Sequence, residues 1–140
     1  MSRIFWDTNL FVYLLEGSSP QAEQVARVRE RMLERDDELY TSTLTLGEVL
    51  VKPLEQGDTA LCRRYEDVLS RTTRLIAFDV DAARRYAEVL RTRAIRPPDA
   101  IQLACASQAG MDLFITNDDR LSRFAIPGIQ FLVPLERAFL

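Results

Sequence analysis

Short apolar runs alternate with longer amphipathic stretches along this chain, and that alternation restricts its fold more than any other feature. Runs of four to six residues at Arg3–Trp6, Glu38–Thr41, Leu75–Phe78, Leu113–Thr116 and Gly128–Val133 read as five strands. Between them, Thr8–Glu16, Gln21–Arg35, Leu44–Leu54, Thr59–Arg71 and Val80–Thr92 carry apolar residues at helical spacing. Within the last of these, Ala83, Tyr86, Ala87 and Leu90 fall at i, i+3, i+4 and i+7. Gly17-Ser18-Ser19-Pro20 breaks the first helix, and Pro53 marks the end of the third. A sixth helix opens at Pro98 and stops at Gly110. Such alternation describes an α/β domain with a largely parallel sheet. With 140 residues and no internal repeat, low-complexity tract or linker, residues 1–140 are expected to form one domain.

What the chain lacks narrows its chemistry. It has no histidine, so imidazole-based triads, histidine-dependent ribonucleases and His-ligated zinc are excluded. Cys62 and Cys105 lie inside helical patterns and are not spaced as a zinc site, which reads as reduced thiols. Five scattered glycines supply no phosphate-cradling loop. A response-regulator receiver needs a late strand-end lysine, and Lys52 is the sole lysine. A haloacid-dehalogenase-like phosphatase needs D-x-D after its first strand, where position 9 is Asn. No apolar run approaches the ~20 residues of a membrane span, and no basic, small-residue leader opens the chain. A cytoplasmic protein with no membrane partner is expected.

Four acids remain as candidates: Asp7, Glu48, Asp99 and Asp118, separated by 41, 51 and 19 residues. Asp7 and Asp118 each stand where a strand gives way to a helix, the edge at which parallel sheets bind ligands. The competing reading is a helix cap, which also covers Asp99 in a first turn. Glu48 lies mid-helix among Leu44, Leu46, Val49, Leu50 and Val51. A buried carboxylate there needs a partner or a metal; otherwise Glu48 lies on a solvated strip or pairs with Lys52. Gly47 beside it would allow close backbone approach. Three strand-edge or helix-start aspartates and one glutamate, without histidine, suit an all-oxygen site for Mg²⁺ or Mn²⁺. The net charge of −3 disfavours a nucleic-acid partner, but setting aside these four and Asp119 leaves +2. Seventeen of the 18 basic residues are arginine, suited to phosphate.

Asp7-Thr8-Asn9, Ser42-Thr43-Leu44-Thr45-Leu46-Gly47-Glu48-Val49, Pro98-Asp99-Ala100-Ile101-Gln102-Leu103-Ala104 and Ile115-Thr116-Asn117-Asp118 together resemble the motifs of PIN-domain ribonucleases: D-[ST]-[NS], S-x-x-[ST]-x-x-E-[VL], P-D-A-x-I-A-A and T-x-D. The resemblance is closest to the compact VapC-type toxins of toxin–antitoxin pairs and spans essentially the whole chain. It implies a PIN-like fold, a central five-stranded parallel sheet flanked by helices. It also implies a metal-dependent endoribonuclease in which Asp7, Glu48, Asp99 and Asp118 hold one or two Mg²⁺ or Mn²⁺ ions and a metal-activated water cuts RNA. In this resemblance Thr116 lines the site, Asn9 orients Asp7, and Asp119 is a water-mediated ligand or a turn cap. Arg93, Arg96 and Arg120 are candidate RNA contacts, against the simpler reading of surface arginines. A cognate antitoxin and a homodimer are implied by the resemblance alone. A stand-alone PIN ribonuclease for RNA processing and a catalytically silent PIN-like interaction module are the alternatives.

Overall fold

The computed structural model describes residues 1–138; Phe139 and Leu140, the end of the expected domain, lie outside the described residues. Its strands are β1 (Arg3–Trp6), β2 (Glu38–Ser42), β3 (Arg74–Ile76), β4 (Met111–Thr116) and β5 (Ile129–Pro134). They form one five-stranded sheet in the order β3-β2-β1-β4-β5, every pair parallel. The helices are α1 (Thr8–Glu16), α2 (Pro20–Glu34), α3 (Thr43–Glu55), α4 (Thr59–Thr72), α5 (Val80–Val89) and α6 (Pro97–Ala109). The expected α/β architecture with a flanked five-stranded parallel sheet is what forms.

Side chains of a strand alternate between the two faces of its sheet, and β1 is buried on both. Ile4 and Trp6 pack with Leu10, Val25, Met32, Leu39 and Ile115 on the face covered by α1 and α2, where α3 and α4 add Val49 and Leu69. Phe5 points the other way, stacked on Phe114 with ring centroids 4.9 Å apart, over Leu103 and Ala106 of α6 and Ala82 of α5. Each face buries its own apolar cluster, so the sheet is the middle layer of three.

Several element bounds differ from expectation for local reasons. β3 ends at Ile76, after which Phe78 leaves the sheet to meet Tyr86 edge-on and Asp79 accepts from the Ala82 N–H at 2.9 Å to cap α5. α5 stops at Val89, short of Thr92, and turns follow. α6 begins at Pro97, one residue early, because either proline of the pair fits a first turn where no N–H bond is needed. α3 runs past Pro53 to Glu55, since a proline in the final turn forgoes only one intrahelical bond. Gly128, in the turn just before β5, has φ +91°, and a Cβ there would sit 2.3 Å from the Ser107 carbonyl oxygen of α6. Only glycine meets both conditions.

Strand order fixes where a ligand can bind. The crossovers run outward in one direction through β2 and β3 and in the other through β4 and β5, so the direction reverses between β1 and β4. At such a reversal the connecting loops diverge and leave a crevice beyond the carboxyl ends of the two strands.

Candidate active site

Asp7 directly follows β1 at that crevice. Its N–H donates to the Ile115 carbonyl at 3.0 Å, which carries the sheet pairing one residue further. Carboxylate Oδ1 accepts from the Thr8 N–H at 2.9 Å and caps α1, while Oδ2 accepts from the Thr116 hydroxyl at 2.8 Å. The two readings of this aspartate therefore do not compete: one oxygen caps, and the other reaches across to β4. Asp7 is only 7% exposed. Burial pushes its carboxyl from 3.8 up to about 6, opposed by the bonds from Thr116 and Thr8 and assisted by the negative charges of Asp99 and Glu48.

Thr116 ends β4 with its side chain wholly buried. Besides donating to Asp7, its oxygen accepts from the Asp118 N–H at 3.0 Å, so one hydroxyl ties the two aspartates together. No α-helix follows here; a turn leads to a 3-10 segment at Leu121–Arg123. Asp118 shapes that turn, its Oδ1 accepting from the Arg120 N–H at 3.0 Å and from Nε at 3.2 Å, and its Oδ2 from Nη2 at 2.9 Å. This fork holds the Asp118 carboxyl below the usual carboxylate range.

Asp99 occupies the first turn of α6, but Arg96 is the cap residue and no side-chain bond caps that helix. The cap reading therefore does not account for Asp99. Its carboxyl is raised, chiefly by burial; Arg96 and Arg120 oppose the rise, and the charges of Asp118 and Glu48 add to it. Glu48 lies on the second turn of α3 at an exposed position, so the argument from a buried carboxylate does not hold for it. Nor does it pair with Lys52, which lies 3.7 Å from Glu16 instead. Glu48 Oε1 accepts from the Thr8 hydroxyl at 2.7 Å and so turns toward Asp7. Gly47 answers no close backbone approach, as nothing lies within 4 Å of a Cβ built there. The fold thus carries Asp7, Glu48, Asp99 and Asp118 from four separate elements to one sheet edge, close enough that the charges of Asp99 and Glu48 raise the Asp7 carboxyl and those of Asp118 and Glu48 raise that of Asp99.

The other expected residues divide. Asn9 Oδ1 accepts from the Asn117 N–H at 3.3 Å, so it steadies the turn bearing Asp118 rather than Asp7. Asn117 also donates to the Tyr13 hydroxyl at 2.6 Å. The Asp119 carboxylate lies 4.0 Å from Arg137, and the Asp119 backbone carbonyl accepts from the Ser122 hydroxyl at 2.7 Å. Arg96 lies 3.7 Å from Asp99 and 3.9 Å from Asp118, and Arg120 holds Asp118, so both guanidinium groups stand at the site. Arg93 is exposed on the turn before α6.

Reading the sequence alone misses a buried polar network beneath the acids. Gln102 of α6, 2% exposed, donates through Nε2 to Thr8 Oγ1 at 2.9 Å and Thr45 Oγ1 at 2.8 Å, and accepts from the Ser42 hydroxyl. Thr41 joins it, 2.8 Å from Thr45 Oγ1, while donating to the Trp6 carbonyl. The available signal was a lone amide within the Ala-Ile-Gln-Leu-Ala-Cys-Ala run of a helix buried on most sides.

All donors at this edge are oxygens, and their mutual repulsion is the condition that a hard divalent cation relieves. Among the described residues no three acidic or cysteine side chains surround a common point. Thr8 holds Glu48, and arginines lie against Asp99 and Asp118. The donor set fits Mg²⁺ or Mn²⁺, which take few protein oxygens and keep several waters.

A parallel α/β sheet with a histidine-free cluster of carboxylates at its switch point defines the class of acidic-site α/β domains. Within that class the PIN domain model matches residues 4–127, and the chain belongs to the PIN domain family. No curated relative matches it. Among solved structures, a chain of the VapBC2 complex from Rickettsia felis, bound to a DNA fragment from its promoter, is similar at TM-score 0.73 and 17% identity, over 94% of this chain and 98% of that one. A chain of a toxin–antitoxin complex from Klebsiella pneumoniae aligns at TM-score 0.64 and 24% identity, over 93% and 99%. A chain of DNA-bound VapBC from Salmonella typhimurium aligns at 0.66 and 19%, over 96% and 99%. At these identities the likeness is one of fold.

Proposed function

We propose that this chain is an endoribonuclease dependent on Mg²⁺ or Mn²⁺ and serves as the toxin of a toxin–antitoxin pair. The observation that carries the nuclease reading is Asp7: a buried carboxyl at the switch point, raised to about 6 and sharing its edge with three further acids. Strongly shifted carboxyls with named charge partners in a crevice mark functional sites more often than structural ones. Asp7, Glu48, Asp99 and Asp118 would hold the ion or ions, which when bound supply the acidity that makes water a nucleophile toward a phosphodiester near neutral pH.

The chain's own groups do the positioning. Thr116 fixes the Asp7 and Asp118 ends of the edge, and Thr8 fixes Glu48. Asp7 is ionised for ligation above about 6. Arg96 and Arg120, now set against Asp99 and Asp118, are the cations to which RNA phosphate would bind. Water would attack phosphorus and the 3′-oxygen would leave as the hydroxyl, so the products are 5′-phosphate and 3′-hydroxyl ends. The likeness in fold to chains of toxin–antitoxin complexes supports the toxin role and a cognate antitoxin as partner; pairing into a homodimer is part of the same proposal. No helix among the described residues is long and apolar enough to cross a membrane; a cytoplasmic place of action follows from RNA as substrate.

The test is incubation of purified protein with total RNA in Mn²⁺, in Mg²⁺ and in EDTA, beside Asp7→Asn and Asp99→Asn. Cleavage that needs the metal and both carboxylates is expected. Cleavage by either folded variant at the wild-type rate refutes the assigned site. A folded wild type that neither binds Mn²⁺ nor cuts is the outcome for a silent interaction module.

A further inference from the structure

Gln102 is a polar side chain in an otherwise apolar setting: it is 2% exposed, and Leu103, Ala104, Cys105 and Ala106 beside it are all fully buried. Its amide has a defined orientation. Thr41 donates to the Trp6 carbonyl, so Thr45 gives its proton to Thr41 and can only accept from Gln102; Nε2 is therefore the end that meets Thr45 and Thr8, and Oε1 accepts from the Ser42 hydroxyl. Ser42 is the residue before α3 and makes no side-chain cap bond, because its hydroxyl is committed to Gln102.

That orientation has a consequence at Thr8. A hydroxyl has one proton and accepts through its lone pairs. Three groups lie within hydrogen-bond distance of Thr8 Oγ1: Gln102 Nε2 at 2.9 Å, Thr45 Oγ1 at 3.0 Å and Glu48 Oε1 at 2.7 Å. The amide can only donate, so it takes an acceptor position on Thr8 and on Thr45 alike. The Thr8 proton then goes to the charged acceptor, Glu48, where a hydrogen bond is shortest and strongest. Without the amide, the Thr8 hydroxyl is free to turn toward Thr45. Glu48 is exposed and its helix leaves its carboxylate otherwise free to change rotamer. The bond from Thr8 is what points it at the acidic edge.

We propose that Gln102 is a positioning residue that acts through Thr8 to hold the Glu48 carboxylate in place for the cation. This rests on the reading of Glu48 as a cation ligand.

The test is calorimetric titration of Mn²⁺ into wild type, Gln102→Met, Thr8→Val and the double variant, each checked for native folding. Methionine keeps the length of glutamine and removes both donors. Loss of a group that orients a metal ligand typically weakens affinity by about 10-fold. Each single variant is expected to show that loss, and the double variant no more than either alone, because both cut one chain of bonds. A merely structural glutamine would lower thermal stability and leave the Mn²⁺ affinity of the folded protein unchanged. Should Gln102→Met not fold, Ser42→Ala, which removes the bond holding the Oε1 end of the amide, is expected to weaken Mn²⁺ alone and to add nothing on top of Thr8→Val. Wild-type affinity in the folded variants, or losses that multiply, overturn the role of Gln102 and leave the metal site standing. A wild type that binds no Mn²⁺ overturns the reading of Glu48 beneath it.

Discussion

Replacing Asp7 by asparagine should stabilise the metal-free protein at alkaline pH while removing its activity. In the folded chain the Asp7 carboxyl is raised from 3.8 to about 6. The native state therefore holds this proton more tightly than the unfolded chain does. The stability it contributes is full below 3.8 and is lost as pH rises through 6. At 1.36 kcal/mol per unit, ionising Asp7 in place destabilises the fold by about 3 kcal/mol above that range. Asparagine is uncharged and caps a helix as well as aspartate does, but it leaves the Thr116 hydroxyl without its carboxylate acceptor, a loss of about 1 kcal/mol. The net expectation at pH 8 is a gain of about 2 kcal/mol, reversing to a small loss at pH 3.5. Asp99, which is raised, and Asp118, which is lowered, titrate in both proteins, so the comparison isolates Asp7 together with its repulsion by Asp99 and Glu48. Urea denaturation in EDTA across this pH range measures the difference. A difference that does not change with pH, or an asparagine variant less stable at pH 8, refutes the reasoning. Mn²⁺ at 100 times its dissociation constant should then stabilise wild type by about 2.7 kcal/mol and the variant far less.

Three further outcomes follow from the same geometry. Arg120→Ala frees Asp118 from its fork, so Mn²⁺ binding without RNA should tighten by roughly two- to fivefold, the worth of an exposed ion pair, while RNA binding weakens; calorimetry and a gel-shift titration read the two. The Asp118 carboxyl should also rise toward the usual range in that variant, visible by NMR titration, since Arg120 is the main cause of its depression. Gly128→Ala places a methyl 2.3 Å from a backbone oxygen at positive φ and should lose at least about 2 kcal/mol, seen as a lower urea midpoint with the metal site intact.

Periodicity and breakers place the strands and helices because the core is binary: Ile4 and Trp6 must go one way and Phe5 the other, which only a strand buried on both faces allows. Sequence alone misjudges where tertiary contacts override local signals. Phe78 leaves the strand pattern for Tyr86, and Pro53 sits inside a helix that a breaker rule would end. The four acids are legible as candidates because each stands at an element boundary or against the grain of an apolar helix. Their actual partners are not legible. Of the readings open for Glu48, the exposed position on a solvated strip is the one found, and its orientation comes from Thr8, which is 40 residues away. Gln102 and Thr116 touch Thr8 and Asp7 from 94 and 109 residues away, separations at which no local pattern encodes contact. Asn9 shows the same limit, since the resemblance implied Asp7 as its partner and the fold supplies Asn117.

The most direct measurement is sequencing of the 5′-phosphate ends produced when total RNA is treated with the wild-type protein or with Asp7→Asn, both in Mn²⁺. The account predicts discrete 5′-phosphate ends with wild type that vanish with the variant, even though the metal-free variant is the more stable fold at alkaline pH. Discrete ends of equal abundance from both proteins, or new ends bearing 5′-hydroxyls, would contradict it.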